Sequence, residues 1–279
     1  MSVGRICLRD VDLADAAECV PDAARRMPTI RRHLAPRVLA ALALLLFARP
    51  AAATDVTDVL ARMRRAIEPG RDMRASFELV MTNAQGERVR WGGQFYRLGG
   101  LQAKKRLVFD SPVDLRGVSV SVQRTDGARD RTRIYLPFVR RVREIESDMR
   151  GESFLGTDFN FEDLGLEELE FHEHALRGEE ELHGRACWRV ESVPDRSWWY
   201  GRIARCIDKK DYLPRLAQYY DPAGLLYKVR TFERVETIDG HPTPVDVLME
   251  VIPAHTSSRL VLRDLEYDTG LEDELFVAP

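Results

Sequence analysis

Apolar and polar residues alternate along most of the chain beyond residue 70, and a period of two is the pattern of half-buried β-strands. From Ala75 to Met81 the apolar side chains occupy every second position, and similar alternation recurs as far as Leu136. Turn sequences such as TDGARD (125–130) separate these segments at a spacing typical of hairpins. Further strands are predicted at 185–193, 200–208, 212–220, 224–234, 245–252 and 258–267. The pattern predicts one antiparallel sheet with an apolar, aromatic face, which must be covered by helices or wrapped into a barrel.

One amphipathic helix is predicted ahead of the sheet. Its apolar residues recur at helical spacing and form a single stripe, made of Val56, Val59, Leu60, Met63 and Ile67. Thr54 is the predicted N-cap, and Pro69-Gly70 ends the run. Such a stripe indicates packing against the sheet.

The segment GESFLGTDFNFEDLG (151–165) interrupts the strand pattern. It mixes three phenylalanines with acidic residues and has no β-branched run, so a short helix is predicted, with Thr157 or Asp158 as its N-cap. Two interpretations stay open. The segment is either a plug or lid over the concave face of the sheet, or an ordinary buried crossover.

Residues 1–53 are predicted to be a leader. Three arginines precede the apolar run VLAALALLLF (38–47), and an A-x-A pattern ends at Ala53. As a helix the run would reach about 15 Å, half of a ~30 Å hydrocarbon core. The pattern therefore favours a secretory signal peptide, cut after Ala53, over a membrane span. Residues 1–26 have no periodicity, and Met27 is an alternative translation start.

Charge and length limit the remaining interpretations. The leader carries eight of the 42 Lys and Arg residues and five of the 45 Asp and Glu residues. Residues 54–279 therefore hold 34 basic and 40 acidic side chains, a net charge near −6, which argues against nucleic-acid binding. A chain of this length forms one domain in many β folds, and a single domain at 54–279 is expected.

Two cysteines remain after the leader, Cys187 and Cys206. Strands pairing them would turn near Arg196 and Ser197, inside the loop sequence PDRSWWYG. This symmetry favours a disulfide across neighbouring antiparallel strands, in a compartment that permits oxidation. Two buried free thiols are the alternative.

Catalytic and metal-binding motifs are weak. His172 and His174 would face the same way on a strand, but two ligands without a third are a poor metal site, so no metal or other cofactor is expected. The chain has no H-E-x-x-H, G-x-S-x-G or P-loop motif, and no enzymatic activity is predicted.

Two surface features remain ambiguous. Five arginines flank the YLPFV sequence (135–139), namely Arg131, Arg133, Arg140, Arg141 and Arg143. They form either a docking surface for an anionic head group or acidic partner, or a solvated strand edge balanced by nearby glutamates. The adjacent aromatics Trp198, Trp199 and Tyr200 cannot share one strand face, so at least one is expected to be exposed or to meet a partner.

Four sequences resemble the LolA-like outer-membrane lipoprotein-sorting proteins, in the branch that accompanies RND-type envelope exporters. They are FLGTDFNFEDL (154–164), the preceding RIYLPFVRRVREI (133–145), CIDKKDYLPRLAQYYDPAGLLYKV (206–229) and the ending DTGLEDELFVAP (268–279). The resemblance implies an unclosed half-barrel of antiparallel strands, with helices covering the concave face. It also implies a monomeric periplasmic carrier for a lipid or a lipoprotein acyl chain, working with an RND-type exporter or an outer-membrane acceptor. A periplasmic sensor or regulatory module of an envelope-stress or exporter system, using the same half-barrel, is the alternative.

The surplus of one-sided apolar positions fits such a carrier. One short helix cannot cover them all, so we expect a lipid-sized cavity of roughly several hundred Å³ beneath the segment 154–164. The candidate lining residues are Phe77, Leu79, Trp91, Phe95, Phe109, Val120, Leu136, Phe154, Phe159 and Phe161.

Overall fold

The computed structural model describes residues 54–99, 103–125, 128–146, 149–164, 169, 172–195 and 198–277. The predicted leader, the cleavage point and the alternative start at Met27 lie outside the described residues. In the part of the chain that is described, no helix is both long and apolar enough to cross a bilayer.

The described chain begins with a helix, which is followed by six strands, a second short helix and seven more strands. The α-helices are α1 (Val56–Ile67) and the four-residue α2 (Phe161–Leu164), and single 3-10 turns lie at Val113–Leu115 and Asp273–Phe276. The first six strands are β1 (Asp72–Thr82), β2 (Arg88–Leu98), β3 (Lys104–Ser111), β4 (Ser119–Thr125), β5 (Ala128–Leu136) and β6 (Arg141–Ile145). The other seven are β7 (His172–Leu182), β8 (Arg185–Pro194), β9 (Arg202–Asp208), β10 (Pro214–Tyr220), β11 (Leu226–Ile238), β12 (His241–Val251) and β13 (Thr256–Tyr267).

All thirteen described strands form one antiparallel sheet. Its order is β6-β5-β4-β3-β2-β1-β13-β12-β11-β10-β9-β8-β7, so the chain builds each half as a meander and joins the halves by pairing β1 with β13. The order ends at β6 and β7, and the sheet is not closed. This confirms the predicted mainly β half-barrel.

Helix α1 covers the β7 half of the sheet. Val59, Leu60 and Met63 are buried and pack with Trp188 and its neighbours on β8 and β9. The predicted N-cap, Thr54, is wrong by one residue. Asp55 has extended backbone angles and accepts a hydrogen bond at Oδ1 from the Thr57 amide (3.0 Å), which places the cap there.

Two strands were absent from the predicted set, β6 and β7. Strand β6 (RVREI) is short and exposed except at Ile145, so it shows no alternation. β7 carries the sequence RGEEEL, whose consecutive polar residues hide the alternation, and it lies at the sheet edge where both faces reach water. The predicted start of β9 is also too early, because Tyr200 turns inward before the strand begins at Arg202.

A disulfide joins Cys187 on β8 to Cys206 on β9, as predicted, with Cα atoms 5.4 Å apart. The two residues are diagonal neighbours, since Cys187 is opposite Asp208 and Cys206 is opposite Arg189. Both half-cystines are buried, and each is next in sequence to a residue that packs with α1, namely Trp188 and Ile207. The bond therefore fixes the register of the two strands beneath the helix.

Replacing both cysteines by serine should lower the free energy of unfolding by about 3 kcal/mol, because the bond restrains a loop with a sequence separation of 19. Urea denaturation of the protein beginning at Thr54 measures the change. Thiol titration of the unreduced, denatured protein is the control and should find no free thiol. A free thiol, or an unchanged urea midpoint in the variant, would contradict the assignment.

Candidate functional site

Residues 149–164, called here the plug segment, cross the concave side of the sheet as a small hairpin followed by α2. Ser153 and Asn160 form an isolated antiparallel bridge, and the Phe154 amide donates to the Phe159 carbonyl (2.8 Å). The cap predicted at Thr157 or Asp158 is wrong. Asn160 occupies that role, since its Oδ1 accepts from the Asp163 amide (3.0 Å) while the Asp163 carboxylate accepts from the Asn160 amide (3.0 Å).

Aromatic rings fasten the plug segment to strands β1 to β3. The Phe154 ring contacts Phe161 at 5.6 Å and Phe109 at 6.0 Å between centroids. Phe109 in turn packs edge-on against Phe77 (5.3 Å) and Trp91 (5.8 Å). Each such pair adds about 0.5–1.5 kcal/mol beyond its area burial, so the network stabilises a closed core under the plug.

A carboxylate of the plug segment is bonded to β13. Asp158 accepts hydrogen bonds from the Ser258 hydroxyl (2.6 Å) and the Thr256 hydroxyl, and its amide donates to the Ser258 Oγ (2.9 Å). These bonds satisfy Asp158 on the strand that joins the two halves of the sheet.

A buried ion pair forms the second attachment. The Asp163 carboxylate lies 3.3 Å from the Lys228 ammonium on β11, and the two side chains are only 2 % and 5 % exposed. Lys228 also donates to the Asp158 carbonyl (2.7 Å). Burial, then the charge of Asp163, raises the pKa of Tyr200 well above its ordinary value. The Tyr200 hydroxyl therefore stays protonated and donates to Asp163 (3.2 Å).

A third attachment lies at the opposite end of the plug segment. The Arg150 side chain is 2 % exposed, and its Nε lies 2.9 Å from the Glu162 carboxylate. The Glu162 amide also donates to the Arg150 carbonyl (2.9 Å). This pair closes the segment on itself, so the plug is braced at both ends and at its middle.

Two adjoining cavities of about 190 and 120 Å³ remain between the sheet, the end of α1 and the plug segment. Three predicted lining residues border the larger one, namely Phe77, Phe95 and Phe159. The other seven pack in the closed core around the plug, namely Leu79, Trp91, Phe109, Val120, Leu136, Phe154 and Phe161. The cavities therefore lie toward α1, away from the aromatic network.

The larger cavity is smaller than the several hundred Å³ expected from the sequence. The reason is the plug segment itself, because Phe154 and Phe161 occupy space that the one-sided sheet leaves open. The wall of the larger cavity is still mostly apolar, with Leu107, Leu164, Leu260, Leu262 and Val247 among the lining residues. A complete long acyl chain would need the site to widen, since ligand sites usually measure ~300–1,000 Å³.

Charged residues at the cavity were missed by the sequence reasoning. Arg97, Lys105, Arg230 and Glu68 all border the larger cavity, beside Asp163. The alternation of β2 offered a signal for Arg97, because Trp91, Gly93 and Phe95 face inward and position 97 continues that series. The Arg97 side chain is buried, and burial lowers the pKa of its guanidinium.

The two histidines considered as metal ligands, His172 and His174, make contacts within the protein. His174 makes contacts of 2.9 Å through both ring nitrogens, with the Ser192 hydroxyl and with the Leu169 carbonyl. His172 stacks on it with centroids 6.2 Å apart. The one cluster of three potential metal ligands in the described residues is Glu180, Cys187 and Cys206, and its two sulfurs are joined in the disulfide.

The structure also places the two surface features that the sequence left ambiguous, the arginines around residues 135–139 and the aromatics at 198–200. Arg131 and Arg133 approach Glu144 at 3.2 and 3.5 Å, which fits the balanced strand edge, whereas Phe138 at the hairpin tip is 71 % exposed. None of the three aromatics at 198–200 is exposed, because Trp198 and Trp199 are half-buried with their rings 5.7 Å apart. A contact of these rings with a partner stays a prediction. Tyr200 is buried, and Trp199 lies so close to Gly151 that an added Cβ there would come within 2.1 Å of the indole.

The open half-barrel with its plug segment has a LolA-like fold. A family model described as "Uncharacterized protein" matches residues 102–278, more than half of the chain, and the chain belongs to that family. No curated protein sequence matches the chain.

Solved structures support the assignment. A DUF1329 family protein from Desulfovibrio piger is 27% identical, with a TM-score of 0.74 over 79% of this chain and 95% of that one. A domain assigned to outer-membrane lipoprotein sorting, from Vibrio parahaemolyticus, is 26% identical, with a TM-score of 0.74 over 78% and 94% of the two chains. A LolA superfamily protein from Nitrosomonas europaea shares the fold at 16% identity, with a TM-score of 0.65 over 81% and 99%.

Replacing Asp163 by asparagine should lower the free energy of unfolding by about 3 kcal/mol or more, because it leaves the Lys228 ammonium buried without its counter-charge. Adding Lys228→Met should recover much of this loss. Urea denaturation of the two single variants and the double variant measures the coupling.

The exposed pair of Asp58 and Arg62, 2.9 Å apart on α1, supplies the matched control. Asp58→Asn should change the free energy of unfolding by less than about 0.5 kcal/mol. Equal effects at Asp58 and Asp163, or additive effects of the Asp163 and Lys228 changes, would refute the role given to the buried pair.

Proposed function

We propose that this protein is a periplasmic carrier that holds a lipid, or the acyl chain of a lipoprotein, in the cavity beside the plug segment. The observation that carries the proposal is the apolar cavity of about 190 Å³ under a cover fastened by polar contacts. A packed domain leaves mainly water-sized voids. The relative from Vibrio parahaemolyticus, assigned to outer-membrane lipoprotein sorting, supports the same activity for this chain.

Energetics explain why such a carrier would be needed. An acyl chain of about 16 carbons costs about 13 kcal/mol to keep in water, at ~0.8 kcal/mol for each methylene. Phe77, Phe95 and Phe159 would contact the chain, and the remaining predicted residues would support the site through the closed core. An RND-type exporter or an outer-membrane acceptor would take the lipid. The carrier itself would act as a monomer without catalysis.

Filling the cavity should abolish lipid uptake without unfolding the protein. Leu262, a half-buried residue of the cavity wall, is the position to change. Leu262→Trp should lower the affinity for cis-parinaric acid, a fluorescent fatty acid, by about tenfold or more, because the indole occupies the space of the chain. Fluorescence titration and thermal melting are measured on the same sample.

Phe154→Leu is the matched control, because Phe154 is buried in the closed core and does not line the cavity. It should lower the melting temperature through a loss of about 1–2 kcal/mol, while the probe affinity stays within twofold. If wild-type protein takes up no acyl probe, the carrier proposal fails, and a periplasmic regulatory module becomes the favoured function.

The periplasmic location predicts a processed N-terminus. Expression of the whole chain in a Gram-negative host should yield a periplasmic protein that begins at Thr54, as N-terminal sequencing would detect. Ala53→Arg should block cleavage, because the residue before the cut must be small. A secreted chain that retains residues 38–47 would refute the predicted site.

A further inference from the structure

Cationic side chains line one end of the larger cavity. Arg97 on β2 lies directly opposite Lys105 on β3, and both border the cavity. Like charges in directly opposed positions destabilise an antiparallel sheet. Arg230 adds a third cation to the same wall.

The nearby carboxylates are engaged in other contacts. Glu68 lies 3.4 Å from the Lys105 ammonium. Asp163 lines the cavity but is paired with Lys228, which does not. Glu68 first, and then Asp72 and Asp268, stabilise the charge on Arg97 without forming an ion pair with it. Asp72 accepts the hydrogen bonds of Thr269, Gly270 and Leu271, and Asp268 accepts from the Arg71 amide.

No carboxylate among the described residues forms an ion pair with Arg97, and its guanidinium lies 5.9 Å from the centre of the Tyr267 ring. The Arg97 side chain is 3 % exposed, and its Nη2 donates to the Pro69 carbonyl at the end of α1. Among the described residues, no group accepts a hydrogen bond from its Nη1. A buried guanidinium with a free donor costs free energy unless a ligand supplies the acceptor, and its planar fork suits a carboxylate or a phosphate.

Strand β2 also carries an apolar side chain next to Arg97 on its inward face. Phe95 lies two residues before Arg97 on the inward face of β2, and Phe77 faces the same cavity from β1. A ligand that places an anionic group on Arg97 can therefore run its hydrocarbon chain over Phe95 and Phe77. The site thus has one cationic end and one apolar end.

We propose that Arg97 binds the anionic head group of the carried amphiphile, so that the cavity selects lipids with a carboxylate or phosphate head over neutral lipids. The inference rests on the proposed function and adds the class of ligand to it. The chain is held by apolar contact, while Arg97 sets the preference between head groups.

The test compares cis-parinaric acid with its methyl ester at pH 8, where the free acid is ionised. Wild-type protein should bind the acid about tenfold more tightly than the ester, the range of a hydrogen bond to a charged group. Arg97→Gln should remove that preference and leave the affinity for the ester within twofold. Arg97→Lys should keep part of the preference. The lysine variant replaces the glutamine variant in the test if the glutamine variant unfolds below the assay temperature.

Arg74→Gln is the matched control, because Arg74 lies on the exposed face of neighbouring β1 and pairs with Glu266 there. It should leave both affinities unchanged. Equal binding of acid and ester by the wild type, or an acid preference that survives in Arg97→Gln, would overturn the head-group site. Binding of neither probe would instead defeat the carrier proposal itself.

Inorganic phosphate separates a lipid head group from a free anion. At 10 mM, phosphate should not displace cis-parinaric acid, because it gains nothing from the apolar end of the site. Displacement would assign Arg97 to free phosphate and overturn the choice of an amphiphile.

Discussion

The fold depends on covering one face of an open, thirteen-stranded sheet, and the buried pair of Asp163 and Lys228 fixes part of that cover in place. A buried ion pair contributes little net stability, but removing one partner is costly. The pair therefore acts as a positional constraint. It keeps α2 over β11, while Asp158 holds the middle of the plug on β13.

This arrangement divides the concave side into two parts. Under the hairpin of the plug, Phe154 and Phe161 complete a close-packed aromatic core with Phe109. Toward α1 the cover is incomplete, and the two cavities lie there, with Arg97 in the wall of the larger one. Polar anchoring suits a cover that must be both well placed and separable, since hydrogen bonds exchanged with water carry a small net free energy.

The alternation predicted one antiparallel sheet because most of the strands bury one face, whereas the unclosed half-barrel followed from the resemblance to LolA-like proteins. The alternation failed for the two edge strands, β6 and β7, because neither has a buried face to impose the pattern. The disulfide followed from symmetry about a loop, whereas the cap at Asn160 did not, because several residues of the plug segment have capping side chains. The lining residues expected from the sequence were all apolar, which left out Arg97. The filling of the site by Phe154 and Phe161 depends on tertiary packing, which the alternation of the strands does not reveal.

Native mass spectrometry of the protein purified from the periplasm tests most directly the claim that this half-barrel carries a lipid. A lipid carrier should give a population heavier than the processed chain by the mass of an amphiphile. Extraction and tandem mass spectrometry should identify an acyl chain with an acidic head group. A single species at the mass of the bare polypeptide, together with an extract empty of lipid, would contradict the claim.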